Sequence, residues 1–176
     1  MTEIRRLTLI LIVQKEAAEK FTILPVGKTT QASLLLAPWF ELNILRRFEK
    51  TDFYPAPDVE VVFLRIRKRE QALVDDERAE LYRDFIIYSF AQWGLTLEKT
   101  LQKIFTYNQI KRLARDSGFD RQKATLISLN FKQWLGLFNY FLIGAEGSKK
   151  QLVVGSKERW EEQQAKLQKR HRTRKE

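Results

Sequence analysis

The chain has 176 residues, 44% of them hydrophobic and 31% charged, a globular balance that argues against disorder. It has no cysteine, which excludes disulfides and suits a reducing cytoplasm, and its lone His171 has no second histidine or thiolate with which to share a metal. Thirty-two lysines and arginines against twenty-two acids leave +10, a balance that favours a polyanionic partner.

Leu7 to Gln14 reads as a buried strand. Its apolar run, Leu7 to Val13, is far below the ~18–20 residues of a membrane span. Gln14-Lys15-Glu16 then stands where a signal peptide would carry small residues. Lys15 to Phe21 reads as a short helix, Gly27 opens a loop, and Thr30 to Leu36 reads as a helix stopped by Pro38. Glu41 to Phe48 is a second strand, with Leu42 and Ile44 alternating against Asn43. Val59 to Arg67 is a third, apolar on both faces and expected at the centre of the sheet. It ends in a basic run, Arg65-Ile66-Arg67-Lys68-Arg69, which either simply leaves the core or lies on a substrate face.

Between the second and third strands lies Phe53-Tyr54-Pro55-Ala56-Pro57. Each proline fixes its own φ and extends the residue before it, giving a stiff rim that holds two aromatics at the sheet's edge. Such a rim can stack a base drawn out of a nucleic acid, or it can be a proline-capped strand entry with an aromatic lid over the core.

Residues 70–77 are acidic and polar and read as a linker. Beyond it Tyr82, Phe85, Ile86, Phe90 and Trp93 fall at helical spacing as a core stripe, with Gly94 as the stop. Thr106-x-x-Gln109 and Asn130-x-x-Gln133 are capping-box starts. The first helix is expected to end at Gly118 in a Schellman-type stop, with Lys111, Arg112 and Arg115 on its outer face. The second turns Phe131, Trp134, Leu135 and Phe138 inward. From Lys149 to Glu176 ten basic residues face four glutamates; Ser156 is a candidate cap for a last helix through Lys169, whose only large apolar residues are Trp160 and Leu167.

Three blocks carry a resemblance. Phe53-x-Pro55-x-Pro57-x-Val59 ahead of a strand resembles the last motif of the rRNA adenine N6-methyltransferases. The blocks Lys103-Ile104-Phe105-Thr106-Tyr107-Asn108-Gln109, Gly118-Phe119-Asp120 and Phe131-Lys132-Gln133-Trp134-Leu135-Gly136-Leu137-Phe138 are similar to the helical domain of the macrolide-resistance (Erm-type) branch, more than to the housekeeping small-subunit dimethylases. Ile12-Val13-Gln14-Lys15-Glu16-Ala17-Ala18-Glu19-Lys20-Phe21 resembles the strand and helix after that family's catalytic loop. The resemblance implies an α/β class: residues 1–69 as the C-terminal part of a Rossmann-like methyltransferase sheet, of about three strands. A linker (70–77), an all-α RNA-binding domain (78–145) and a basic tail (146–176), part helical or disordered, would follow.

It also implies roles. Phe53 stacks the target adenine, with Tyr54 beside it as a second candidate. Arg65, Arg67, Lys68, Arg69, Lys111, Arg112 and Arg115 meet rRNA phosphates. S-adenosylmethionine is the family's cofactor, usually held at a glycine turn and by an acid that takes the ribose. The seven glycines here form no Gly-x-Gly, and the nearest string to the family's Asn-x-Pro-aromatic loop is Leu36-Ala37-Pro38-Trp39, with leucine where the acceptor belongs. The expectation is a second half whose missing strands precede Met1, one that alone binds neither S-adenosylmethionine nor a metal. The other reading is a stand-alone RNA-binding module.

Overall fold

The β-branched run after Pro57 forms the middle of a sheet. The computed structural model describes residues 8–23 and 29–172, with side chains as far as 167. It pairs β3 (Val61–Lys68) antiparallel with β1 (Thr8–Gln14) on one side and β2 (Phe40–Arg47) on the other. The register sets Val13 opposite Val62, Ile44 opposite Leu64 and Leu42 opposite Ile66. Side chains alternate with a period of two, so these six share one face, and Ala18 of α1 (Lys15–Phe21) closes on them. α2 (Gln31–Leu36) packs beside α1. It starts at a reciprocal cap: the Thr30 hydroxyl accepts from the Ser33 N–H at 3.0 Å and Ser33 Oγ accepts from the Thr30 N–H at 3.1 Å. Gly27 lies outside the described residues.

Two expectations about the strands are corrected. β1 forms, but it is not buried: Leu9, Ile10 and Ile12 are 48%, 49% and 56% exposed. It is an edge strand, and among the described residues no further strand pairs with it. β3 is central, yet only the Val62, Leu64 and Ile66 face is wholly apolar; the other carries Phe63, Arg65 and Arg67. Ile10 and Ile12 share that second face, opposite Arg65 and Phe63.

The chain divides into two compact units, the first ending at Asp75 and the second starting at Asp76. Within the first, the polar stretch after β3 is ordered, for the Leu73 N–H bonds the Pro38 carbonyl at 3.0 Å and Val74 is buried. The second unit is helical: α3 (Asp76–Ala91), α4 (Leu97–Leu101), α5 (Tyr107–Ser117), α6 (Phe131–Gly144), α7 (Gly147–Val153) and α8 (Ser156–Arg172). Its core is aromatic. Phe85 of α3 is fully buried, its ring centroid 5.1–6.4 Å from those of Phe105, Trp134, Phe138 and Phe141.

Both capping boxes form, and each glutamine does a second task. Gln109 Nε2 donates to the Gly144 carbonyl at 2.9 Å, and Gln133 Nε2 to that of Ser117 at 3.1 Å, tying the ends of α5 and α6 together. α5 ends on Gly118 at φ 68°, where the Phe119 N–H reaches back to the Ala114 carbonyl at 3.0 Å, the Schellman closure. Trp134, Leu137 and Phe138 are buried, while Phe131 and Leu135 are only half-buried.

Two helix ends depart from expectation. α3 stops at Ala91, short of Gly94, so Trp93 leaves the core stripe and is 97% exposed in the loop. The loop needs a glycine there because Gly94 lies against Thr100 of α4: a Cβ on it would come within 2.5 Å of Thr100 Oγ1 and 2.7 Å of the Thr100 nitrogen. The start of α8 is held by Asp84, not by Ser156. Asp84 is 3% exposed, and its carboxylate accepts the Gly155 N–H at 2.7 Å and the Lys157 N–H at 2.8 Å. Ser156 instead donates its hydroxyl to the Val153 carbonyl at 2.6 Å.

Candidate nucleic-acid interface

The aromatic rim grows out of a single 3-10 turn. Lys50–Asp52 is closed by the Glu49 N–H on Asp52 Oδ2 at 3.0 Å, after which Phe53 is extended. The Phe53 ring packs edge-on against Phe48 at 5.3 Å between centroids, and Phe48 packs edge-on against Phe63 of β3 at 6.1 Å. The Arg46 guanidinium lies 5.3 Å from the Phe48 ring. Phe53 is therefore a half-buried ring resting on an aromatic file rooted in the central strand. Tyr54, next to it, is fully exposed. Phe48 and Phe63 had no evident role in the sequence; the β2 bulge between Ile44 and Arg46, which shifts the register ahead of Phe48, shows only in the pairing.

The basic run at the end of β3 is divided by Glu41. Arg67 bonds Glu41 Oε2 through Nη2 and, at 3.0 Å, through Nε; Arg69 Nη1 bonds Oε1 at 3.0 Å. Arg69 also donates from Nε to the Ala37 carbonyl at 2.8 Å. These two arginines bind β3 to β2. Lys68 between them is exposed, and Arg65 is half-buried with its Nε enclosed and unpartnered. A cavity of about 340 Å³ is lined by Glu41, Arg67, Lys68, Arg69, Glu70 and Gln71.

Glu41 should make stability depend on pH. The hydrogen bond from Arg67 is the main cause that holds its carboxyl below the usual value; partial burial opposes it, and the charges of Arg67, Arg69 and Arg65 add to it. A depressed folded-state pKa adds stability that is present above the unfolded value of 4.5 and is lost as pH falls through the folded value. Urea midpoints taken from about pH 6 down to about pH 3 should fall for the native chain, with a smaller fall for Glu41→Gln. With the Glu41 side chain 29% exposed the difference is modest. Parallel curves for the two proteins would show that Glu41 carries no such linkage.

On α5, Lys111, Arg112 and Arg115 are exposed while Ile110, Leu113 and Ala114 are buried, so the basic side chains form an outward stripe. Arg115 Nε bonds the neighbouring Asp116 at 3.0 Å. The Arg65–Arg69 cluster belongs to the first unit and the α5 stripe to the second.

Among the described residues, neither of two cavities in the first unit fits S-adenosylmethionine. A second cavity in the first unit, of about 280 Å³, is lined by Leu11, Val13 and Leu64 among other apolar side chains and offers no group for a ribose. In the basic cavity Glu41 is held by Arg67 and Arg69. Among the described residues no group of three or more acids and histidines could hold a metal, and no helix is long and apolar enough to cross a membrane.

The fold is that of rRNA methyltransferases. The solved structure of the 23S rRNA methyltransferase ErmE is similar with a TM-score of 0.68 and 22% identity, over 76% of this chain and 54% of that one. The model of the ribosomal RNA adenine dimethylase family matches residues 2–142, and the chain belongs to that family. An rRNA adenine N-6-methyltransferase of Bacillus licheniformis is 30% identical over 132 residues, 74% of this chain and 44% of the relative. The mycinamicin-resistance protein MyrB of Micromonospora griseorubida is 35% identical over 79 residues, 45% of this chain and 25% of its own length. The chain thus spans less than half the length of these curated relatives.

Proposed function

We propose that this chain is the substrate-gripping half of an S-adenosylmethionine-dependent rRNA adenine N6-methyltransferase of the macrolide-resistance kind. The observation that carries the reading is Phe53, seated on Phe48, which in turn packs on Phe63 of the central strand, in a chain of this family. N6-methylation needs positioning more than an acid or base: the adenine is flipped, stacked and held while the methyl lies in line. Phe53 supplies the stacking surface, with Tyr54 as the exposed ring beside it. Arg65, Lys68, Lys111, Arg112 and Arg115 meet phosphates, whereas Arg67 and Arg69 act partly through Glu41. We assign residues 1–69 to the methyltransferase part, 70–77 to the linker, whose last two residues open α3, 78–145 to the RNA-binding domain and 146–176 to a basic tail that carries α7 and α8. The cofactor is held by polypeptide other than these 176 residues, so the chain alone is inactive.

A stand-alone RNA-binding module is less well supported. Such a protein should blunt its sheet edge, yet β1 presents Leu9, Ile10 and Ile12 at the edge with no charge between Thr8 and Val13.

Binding of the purified chain to single-stranded RNA tests the reading. The affinity should fall linearly on a log–log salt plot, by about 0.7 per phosphate contacted, and reversing the charge of Lys111, Arg112 and Arg115 should flatten the slope. Calorimetry with S-adenosylmethionine should give no heat. Affinity indifferent to salt would overturn the RNA assignment, and micromolar cofactor binding would overturn the assignment as a half enzyme.

A further inference from the structure

Trp93 is the one large aromatic of the α3 stripe that the helical core leaves out. The loop Gln92–Leu95 presents it 97% exposed, with Leu95 beside it at 86%. The loop is fixed rather than trailing. Gly94 abuts Thr100, whose hydroxyl donates to the Thr96 carbonyl at 2.9 Å, and Thr96 in turn caps α4. The Leu97 N–H bonds the Ala124 carbonyl at 2.7 Å, which brings the 120–124 turn against the same corner.

The charges of that corner are predominantly basic. Lys99 of α4 and Lys103, two residues past its end, are exposed, and Lys123 of the adjoining turn is exposed too. Its two acids are engaged. Glu98 is bonded by Arg121, and Asp120 accepts the Gln122 N–H at 2.9 Å and stands 3.9 Å from Lys123. A bare indole on a rigid loop beside lysines has the two components of a single-strand platform: a π-face for any base and cations for the backbone on either side.

We propose that Trp93 stacks an unpaired base of the RNA, with Lys99 and Lys103 meeting the adjacent phosphates. This makes the helical unit's α3–α4 corner a second stacking site, separate from the Phe53 rim. It rests on the RNA reading above, deepening it by naming a residue that reads no sequence but holds a single-stranded segment.

The test is fluorescence-monitored titration of the 176-residue chain with a single-stranded oligoadenylate of about 12 nucleotides, within the ~4–16 nucleotides that such platforms occupy. A ribose-phosphate oligomer of the same length without bases is run in parallel. Trp93→Ala should weaken oligoadenylate binding by roughly five- to a hundred-fold, while Trp93→Phe keeps most of it. The salt slope should be unchanged in Trp93→Ala, because stacking releases no counterions, but shallower in a Lys99→Ala/Lys103→Ala double variant. Against the baseless oligomer, native and Trp93→Ala chains should bind alike. Trp93 lies outside the core, so thermal unfolding should not shift, which keeps the binding loss interpretable. If oligoadenylate binds native and Trp93→Ala chains equally, the RNA reading stands, this inference fails, and the Trp93–Leu95 tip is left as a protein-contact surface. If the native chain binds no RNA at all, the broader reading fails first.

Discussion

Phe85→Ala is expected to unfold the helical unit under mild conditions. The side chain is 0% exposed and its ring adjoins those of Phe105, Trp134, Phe138 and Phe141, so truncation leaves a cavity that four rigid aromatics cannot collapse to fill. Phenylalanine-to-alanine changes at such sites cost about 3–5 kcal/mol, against a total of about 5–15 kcal/mol for a whole domain. A unit of this size shifts by about 4–8 °C per kcal/mol, so the melting midpoint should drop on the order of 20 °C. Phe85→Leu keeps most of the volume and should fall far less. Calorimetry of the two variants decides the matter: a Phe85→Ala chain that melts with the native one would mean that the aromatic cluster is not the core of this unit.

Phe53→Ala should damage function more than stability. Base–aromatic stacking contributes about 1–3 kcal/mol, so methylation by a full-length enzyme carrying residues 7–142 of this chain should fall very roughly ten- to a hundred-fold. Phe53→Tyr should be mild, since the stacking surface is kept. The ring is only half-buried and packs edge-on against Phe48, so its loss should cost the sheet little. The urea midpoint should therefore stay close to the native one while turnover drops. A Phe53→Ala protein that unfolds, with methylation lost only in proportion, would assign the residue to the lid over the core. Tyr54→Ala is the companion measurement, because that ring is fully exposed and any loss there cannot come from packing.

Much of this architecture was legible in the residues because it is local. α1 and α2 follow from short apolar periods, and α5 and α6 from Thr106 with Gln109 and Asn130 with Gln133, whose side chains satisfy backbone groups three residues away. Gly118 ends α5 because only a glycine takes φ 68° without strain. The outward stripe of Lys111, Arg112 and Arg115 follows from the 3.6-residue period of the same helix. The family, too, was readable, since its motifs are short strings in order along the chain.

What tertiary structure decided are relations between distant residues. Leu7 to Val13 is apolar enough to be buried, but hydrophobicity sets only the tendency to be covered; pairing makes β1 an edge strand. The run Arg65 to Arg69 looks uniform in sequence, yet Glu41, 26 and 28 residues before Arg67 and Arg69, takes these two and leaves Lys68 exposed. Asp84 reads as one more surface acid on a helix, and only folding brings Gly155 and Lys157 to it across 71 and 73 residues. Trp93 keeps the helical spacing of the core, but α3 stops at Ala91 before the period reaches it, and the next residue, Gly94, lies against Thr100. Helix periods, caps and motifs are set by neighbours along the chain, so the sequence determined them; edges, ion pairs and exposure depend on which distant segments meet, and that the tertiary structure settled.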